Sequence, residues 1–339
     1  MKPIFELSQL TVEFRSPLET VTAVHGLDLV VNEGESFAIV GESGSGKTVS
    51  MMATMRLLPT PPAHVAAEAM RFEGRDLRAM DRRAWRQLCG ERIAMVFQDA
   101  LTALNPVYTV GWQIGEMFRI HRPAMSRREI RERTIGLLAE VGIPEPQQRV
   151  NDYPHQFSGG MRQRAMIAMA IALEPAFLIA DEPTTALDVT VQAQLMDLLA
   201  RLKAERGMSM ILITHDLGLV SENADRVAIM YAGSVMETGA VDDVLTRPRH
   251  PYTLGLLASR PQAVRKGEKL SSIHGSPPNL ARKPEGCPFH PRCQMARPVC
   301  RTSKPALIAE ASGHGVACHV VNPPDTAATP PREPARADR

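Results

Sequence analysis

The chain has 339 residues, and its 39 Lys and Arg against 37 Asp and Glu leave a net charge of +2. That near-balance excludes a strongly polybasic nucleic-acid binder, and 4% aromatic residues leave base-stacking platforms scarce. At 44% apolar residues wholesale disorder is excluded, and ~150 residues per domain leaves room for two domains, or one large domain with an appendage.

No apolar run approaches the ~18 residues of a membrane span; the longest, Ala165 to Leu173, lies between Arg164 and Glu174. The N-terminal stretch carries Glu6 inside its first apolar run and no small-residue cleavage site, so it does not read as a signal peptide. The sequence therefore predicts a cytoplasmic chain with reduced thiols.

In chain order, residues 4–14 alternate with period two and predict a strand, followed by a strand-like stretch from Leu27 to Val31. Residues 36–40 (SFAIV) predict a buried central strand that ends at Gly41. Apolar spacing from Thr48 to Leu58 predicts a helix stopped by Pro59, Pro61 and Pro62. Residues 126–143 form the clearest amphipathic helix: Ser126 and Glu129 make a capping box, and Ile130, Leu137, Leu138 and Val141 share a face. Its Arg127, Arg128, Arg131 and Arg133 alternate with Glu129 and Glu132, which favours a solvated face over nucleic-acid contact. Residues 177–180 (FLIA) and 210–213 (MILI) predict buried parallel strands with their chemistry at the carboxyl ends. Pro and Gly become dense after Pro248, which places a boundary near there, and residues 321–339 predict a disordered tail.

Gly41-Glu-Ser-Gly-Ser-Gly-Lys-Thr48 matches G-x-x-x-x-G-K-[ST] between a predicted strand and a predicted helix, the context of a P-loop. Gly44 and Gly46 let the backbone curl, so that the N–H groups of Ser43 and Ser45 and their neighbours point inward at phosphate oxygens. The helix N-terminus adds its dipole. Lys47 supplies a mobile charge for the β and γ phosphates, and Thr48 offers a hydroxyl to Mg²⁺. Asp181, ending an apolar strand, can hold Mg²⁺ through water, and Glu182 beside it can orient and polarise the attacking water.

Between these motifs lies Phe157-Ser-Gly-Gly-Met-Arg-Gln-Arg164, and with it the chain resembles an ATP-binding cassette (ABC) ATPase. Phe157 and Met161 depart from the family's L-S-G-G-Q, while Ser158, Gly159 and Gly160 are intact. The resemblance covers residues 4–250 and implies an α/β fold. That fold is a RecA-like core with an antiparallel β subdomain and a helical subdomain at about 99–170. It implies roles for further residues. Gln98 is the Q-loop glutamine that binds Mg²⁺ and senses the transporter. Asp188, in Ala186-Leu187-Asp188, belongs to the D-loop that communicates across the dimer, and His215 is the switch histidine at the γ-phosphate. Phe14 stands where the family stacks an aromatic on adenine, core packing being the other reading. Ser158, Gly159 and Gly160 grip the γ-phosphate bound by the P-loop of a second cassette, head to tail. With one P-loop and one signature the chain must homodimerise or pair with a related ATPase.

Asp99-Ala-Leu-Thr-Ala-Leu-Asn-Pro106 and Arg249-His-Pro-Tyr-Thr253 are similar to the oligopeptide/dipeptide importer subfamily. This implies one of two non-identical ATPases of an importer with two membrane permeases and a solute-binding protein, bound to the cytoplasmic face of the plasma membrane. Residues 99–125 are the candidate docking surface for the permeases. An importer of nickel or glutathione remains open, as does a soluble non-transport ABC ATPase.

Cys89 stands alone and predicts a buried or neutral thiol. Cys287, Cys293, Cys300 and Cys318 cluster in residues 251–320, a loop-rich extension. In a reducing cytoplasm they point to a metal centre, either zinc or an iron–sulfur cluster. The resemblance favours [4Fe–4S], and the wide spacing suits zinc less. His290, His314 and His319 are spare candidate ligands beside them.

Overall fold

The computed structural model describes residues 2–185, 187–259 and 273–323. The chain opens with β1 (Pro3–Arg15) and β2 (Thr20–Asn32), an antiparallel pair in which Glu6 faces Val30 and Phe14 faces Val21. After β3 (Ser36–Val40) and α1 (Lys47–Thr54) come β4 (Ala63–Ala66), β5 (Ala69–Phe72) and β6 (Arg75–Asp76). These complete a five-stranded sheet in the order β2-β1-β5-β6, with β4 also on β1. Alternation on β1 buries Phe5, Leu7, Leu10 and Val12 against the second sheet.

The second sheet takes its first five strands from scattered places: β3, β7 (Ile93–Val96), β8 (Phe177–Asp181), β9 (Ser209–Thr214) and β10 (Arg226–Tyr231). They are parallel, in the order β10-β3-β9-β8-β7. β3, β7, β8 and β9 are buried along their whole length, which is why they read as unbroken apolar runs. β11 (Ser234–Ala240) turns back antiparallel on β10. β12 (Ile308–Ala309) and β13 (Gly315–Val316) then extend the sheet from the C-terminal part of the chain, β13 on β11 and β12 on β13.

Helices α2 (Arg82–Glu91), α3 (Ala100–Ala103), α4 (Val110–His121), α5 (Arg127–Glu140), α6 (Pro146–Arg149) and α7 (Gly159–Ile171) fill most of the stretch between β6 and β8. The capping box on α5 forms in both directions: the Glu129 N–H donates to Ser126 Oγ, and the Ser126 N–H donates to Glu129 Oε2 at 2.7 Å. Ile130, Leu137, Leu138 and Val141 are buried as a face. The helix expected over 48–58 stops at Thr54, because Arg56 takes a left-handed φ of 54° and its guanidinium turns to the carbonyls of Leu77 and Met80.

After α8 (Val189–Arg206), α9 (Leu217–Asn223) and α10 (Val241–Thr246), α11 (Pro251–Ala258) starts at His250. The fastening here is Glu237 of β11, fully buried. Its carboxylate accepts the N–H groups of Arg249 (2.8 Å) and His250 (3.0 Å), and His314 Nε2 lies 2.8 Å away. A third core joins β10 and β11 to the C-terminal part through Tyr231, Tyr252 and Phe289. The expected disordered tail lies, from residue 324 onward, outside the described residues.

Candidate functional site

Parallel strands send their carboxyl ends to one edge, so β3, β7, β8 and β9 deliver residues 41, 97, 182 and 215 to the same crevice. The loop 41–48 leaves β3 there. Gly46 has φ 98°, and a Cβ on it would stand 2.6 Å from the Ala23 carbonyl oxygen, so a side chain is barred by both backbone and space. A Cβ on Gly41 would stand 2.1 Å from the Met230 carbonyl oxygen. Lys47 is buried, and its ammonium donates to the carbonyls of Gly41 (2.8 Å) and Glu42 (3.1 Å). Burial lowers its pKa, against the pull of Glu182, Asp181 and Glu42. Ser45 Oγ is buried without a hydrogen-bond partner, the kind of orphan an anion at this loop would satisfy.

Thr48, in the first turn of α1, donates its hydroxyl to Asp181 Oδ1 at 2.9 Å. Asp181 is 2% exposed, and burial pushes its pKa up to about 6 despite the Thr48 bond, with the Glu182 charge adding to the rise. A cation would restore its charged form, and the oxygen donors fit Mg²⁺.

Glu182 follows with φ 42°, a left-handed backbone held by its N–H donating to the Ile213 carbonyl. Its Oε2 accepts from Gln98 Nε2 (3.1 Å) and Thr185 Oγ1 (2.8 Å) and lies 3.4 Å from His215 Nδ1. One carboxylate oxygen thus gathers groups from the ends of β7, β8 and β9. The arrangement can hold a water between a base and an imidazole, beside a cation site and a ring of N–H donors.

Ser158 caps α7, its Oγ accepting the Met161 N–H at 3.3 Å, and both Ser158 and Gly159 are exposed. A Cβ on Gly160 would lie 3.0 Å from Val191 Cγ1 of α8, so this motif packs beside the segment that carries Asp188. Asp188 itself caps α8 through the Val191 N–H. Ala186 lies outside the described residues. Phe14 is half-buried on β1 and packs against the core beneath that sheet.

Cys287 and Cys300 are buried, Cys293 packs against the same core, and the Cys287 N–H donates to the Cys300 carbonyl. Cys318 is buried also. Burial raises the Cys287 thiol to about 11, with Cys300, Cys318 and Cys293 contributing to the rise, so those three stand within electrostatic reach of it. The expected ligand set does not follow. Among the described residues no group of three or more His, Cys, Asp or Glu is arranged to hold a metal ion, which answers neither the [4Fe–4S] nor the zinc expectation. All three spare histidines have a partner: His314 faces Glu237, His319 Nε2 lies 2.9 Å from the Ser303 carbonyl, and His290 Nδ1 lies 2.9 Å from the Cys287 carbonyl. Cys89 fits its expectation, burial raising its thiol to about 11 and so keeping it neutral.

Two contacts at this edge escaped the sequence reading. Tyr252 Oη accepts the Glu42 N–H at 3.0 Å, and Arg292 grips the Glu42 carboxylate. The H-P-Y-T string marked Tyr252; nothing in the local sequence marks Glu42 or Arg292, which are 250 residues apart.

Residues 24–185 match the family model described as ABC transporter, and residues 236–300 match the model described as oligopeptide/dipeptide transporter, C-terminal region. The chain belongs to the ABC transporter ATP-binding proteins. Within them it falls in the peptide/dipeptide import branch. It is 46% identical over 316 residues to the dipeptide transport ATP-binding protein DppD of Escherichia coli (strain K12), covering 93% of this chain and 96% of that one. It is 48% identical over 304 residues to the DppD of Haemophilus influenzae, covering 90% of this chain and 92% of that one. Among solved structures it is similar to the ATP-binding cassette MJ0796, a dimer in a post-hydrolysis state bound to ADP and Pi. That likeness has a TM-score of 0.62 at 28% identity, covering 70% of this chain and 98% of that one.

Proposed function

We propose that this chain is the ATP-hydrolysing subunit of an ABC importer for dipeptides or oligopeptides. The observation that carries the reading is the Glu182 carboxylate, met by Gln98, Thr185 and His215 one residue from the Thr48–Asp181 pair. Lys47 leaves the Gly41 and Glu42 carbonyls for the β and γ phosphates. The backbone N–H groups of Ser43, Gly44, Ser45 and Gly46 cradle them, and Phe14 lies against the adenine. Thr48, Gln98 and Asp181 would hold Mg²⁺, which neutralises charge on the phosphate oxygens when bound. Glu182 orients the attacking water and takes its proton, and His215 donates toward the γ-phosphate. Ser158, Gly159 and Gly160 serve the nucleotide of a second, related ATPase, closing a head-to-tail pair with Asp188 at the junction. The exposure of Ser158 and Gly159 supports this division of labour.

The two permeases dock on residues 99–125. Leu101, Val107, Tyr108, Trp112 and Ile120 are exposed apolar side chains there. Beside it lies a cavity of about 450 Å³ walled by Trp85, Cys89, Phe97 and Met117. No helix among the described residues is long and apolar enough to cross a membrane; the docked permeases hold the chain at the cytoplasmic face. A solute-binding protein delivers the peptide.

A tagged Glu182→Gln chain should bind ATP, lose ~10²- to 10⁴-fold in turnover, and retrieve a second ATPase and two permeases from membranes. Parental turnover would sink the assigned base, and a retrieved complex without permeases would sink the importer. We infer further that the four C-terminal thiols take an iron–sulfur cluster, with zinc as the alternative. Cys287, Cys293 and Cys300 sharing one core, with Cys318 in electrostatic reach of Cys287, supports it, and the ligand geometry does not. Brown protein absorbing near ~400 nm after anaerobic purification is expected; colourless, metal-free protein would end the idea.

A further inference from the structure

Glu42, inside the phosphate loop, is held from the far end of the chain. Arg292 is 6% exposed in its side chain and grips the Glu42 carboxylate with both prongs, Nη1 to Oε2 at 2.6 Å and Nη2 to Oε1 at 3.1 Å. The same guanidinium is fixed by Tyr231 Oη (3.2 Å) and by the carbonyls of His274 (3.0 Å) and Ile273 (3.3 Å). The backbone of Glu42 is equally engaged. Its N–H donates to Tyr252 Oη, and its carbonyl accepts from Lys47 Nζ and from the Ser45 N–H at 3.2 Å. A space of about 320 Å³ separates Glu42–Ser45 from Pro277–Leu280, so the C-terminal part lines the outer side of the loop as well.

A carboxylate one residue into a phosphate loop repels a triphosphate unless its charge is cancelled. A bidentate arginine cancels it and fixes its direction together, which an ammonium cannot do. One of the two carbonyls that park Lys47 belongs to this same residue, so the set of Glu42 bears on the set of the loop.

We propose that Arg292 is a positioning residue for nucleotide binding: it cancels the Glu42 charge and fixes the 41–48 loop, so that ATP affinity depends on the folded C-terminal extension. The proposal rests on the ATP site described above. It acts on binding and leaves Glu182 untouched, so KM for ATP rises while kcat holds.

The test uses the full chain with Mg²⁺ and a fluorescent ATP analogue, comparing the parent with Arg292→Ala, Arg292→Lys, Glu42→Gln and the Arg292→Ala/Glu42→Gln double variant. Arg292→Ala should bind ~10- to 100-fold more weakly, the loss expected when one partner of a hydrogen-bonded, part-buried ion pair is removed. Arg292→Lys should fall between. The double variant should return to within about threefold of Glu42→Gln, because no unpaired carboxylate is left. Parental affinity in Arg292→Ala would overturn the proposal. So would a double variant as weak as Arg292→Ala, which would mean that the arginine only holds the extension folded. Should Arg292→Ala fail to fold, Arg292→Lys decides alone: a raised KM with unchanged kcat is expected, and parental KM overturns it. Binding by the parent tests the ATP site by itself; only the ratios among variants bear on Arg292.

Discussion

Replacing Glu237 by Ala should cost more than any surface change and should do so at the C-terminal part first. The carboxylate is fully buried and accepts the N–H groups of Arg249 and His250, with His314 Nε2 as a third neighbour, at 2.8 to 3.0 Å. Alanine leaves those three groups without the acceptor. Each buried group orphaned costs ~1–3 kcal/mol, so the sum for three is ~3–9 kcal/mol before any cavity penalty, against a total of ~5–15 kcal/mol for a folded domain. Glu237→Gln keeps the shape and one acceptor oxygen, and should lose about half as much. Urea unfolding followed by circular dichroism, with limited proteolysis to locate the loosened segment, measures both. A Glu237→Ala chain within about 1 kcal/mol of the parent, or one cleaved first in the helical part, would refute the reasoning.

Lys47→Ala should abolish tight nucleotide binding while leaving the melting temperature near that of the parent, since its ammonium is held only by two loop carbonyls; unaltered ATP affinity by titration would overturn its phosphate role. Burial holds His250 down at about 4, below its ordinary 6.5, and its Nδ1 accepts the Tyr252 N–H, which needs the neutral ring. The unfolded chain therefore binds the extra proton first as pH falls. Stability from this group is full above about 6.5 and is lost between there and 4, by ~3 kcal/mol. His250→Asn, which can still cap the helix, should flatten the fall in melting temperature between pH 7 and 5; an equal slope in both proteins would count against it.

The buried parallel strands and the chemistry at their ends were legible because both signals are local. β3, β8 and β9 are apolar runs, and the polar residues that follow each run are the ones the fold brings to one edge. The amphipathic α5 declared itself by its cap and its stripe. What stayed hidden depends on partners far away. Glu237 sits in a strand where an acid reads as a solvent-facing residue, and only the backbone turn at 249–250 explains its burial. Arg292 lies among prolines and cysteines with nothing local to mark it, because its partner is in the phosphate loop. The four cysteines were legible as a group, but spacing along a chain does not fix ligand geometry in a loop-rich segment.

The short strand β13 lies along β11, and the Ala317 N–H donates to the Met236 carbonyl just beyond it. Without that cover, β11 would present a row of unpaired N–H and C=O groups to solvent, a template for another molecule's strand. With it, the sheet ends in β12, two exposed residues long and too short to recruit a partner. A chain trimmed back to its cassette would keep every phosphate-facing residue and still be a poor protein to handle, because the segment removed is what keeps neighbouring copies from sticking edge to edge.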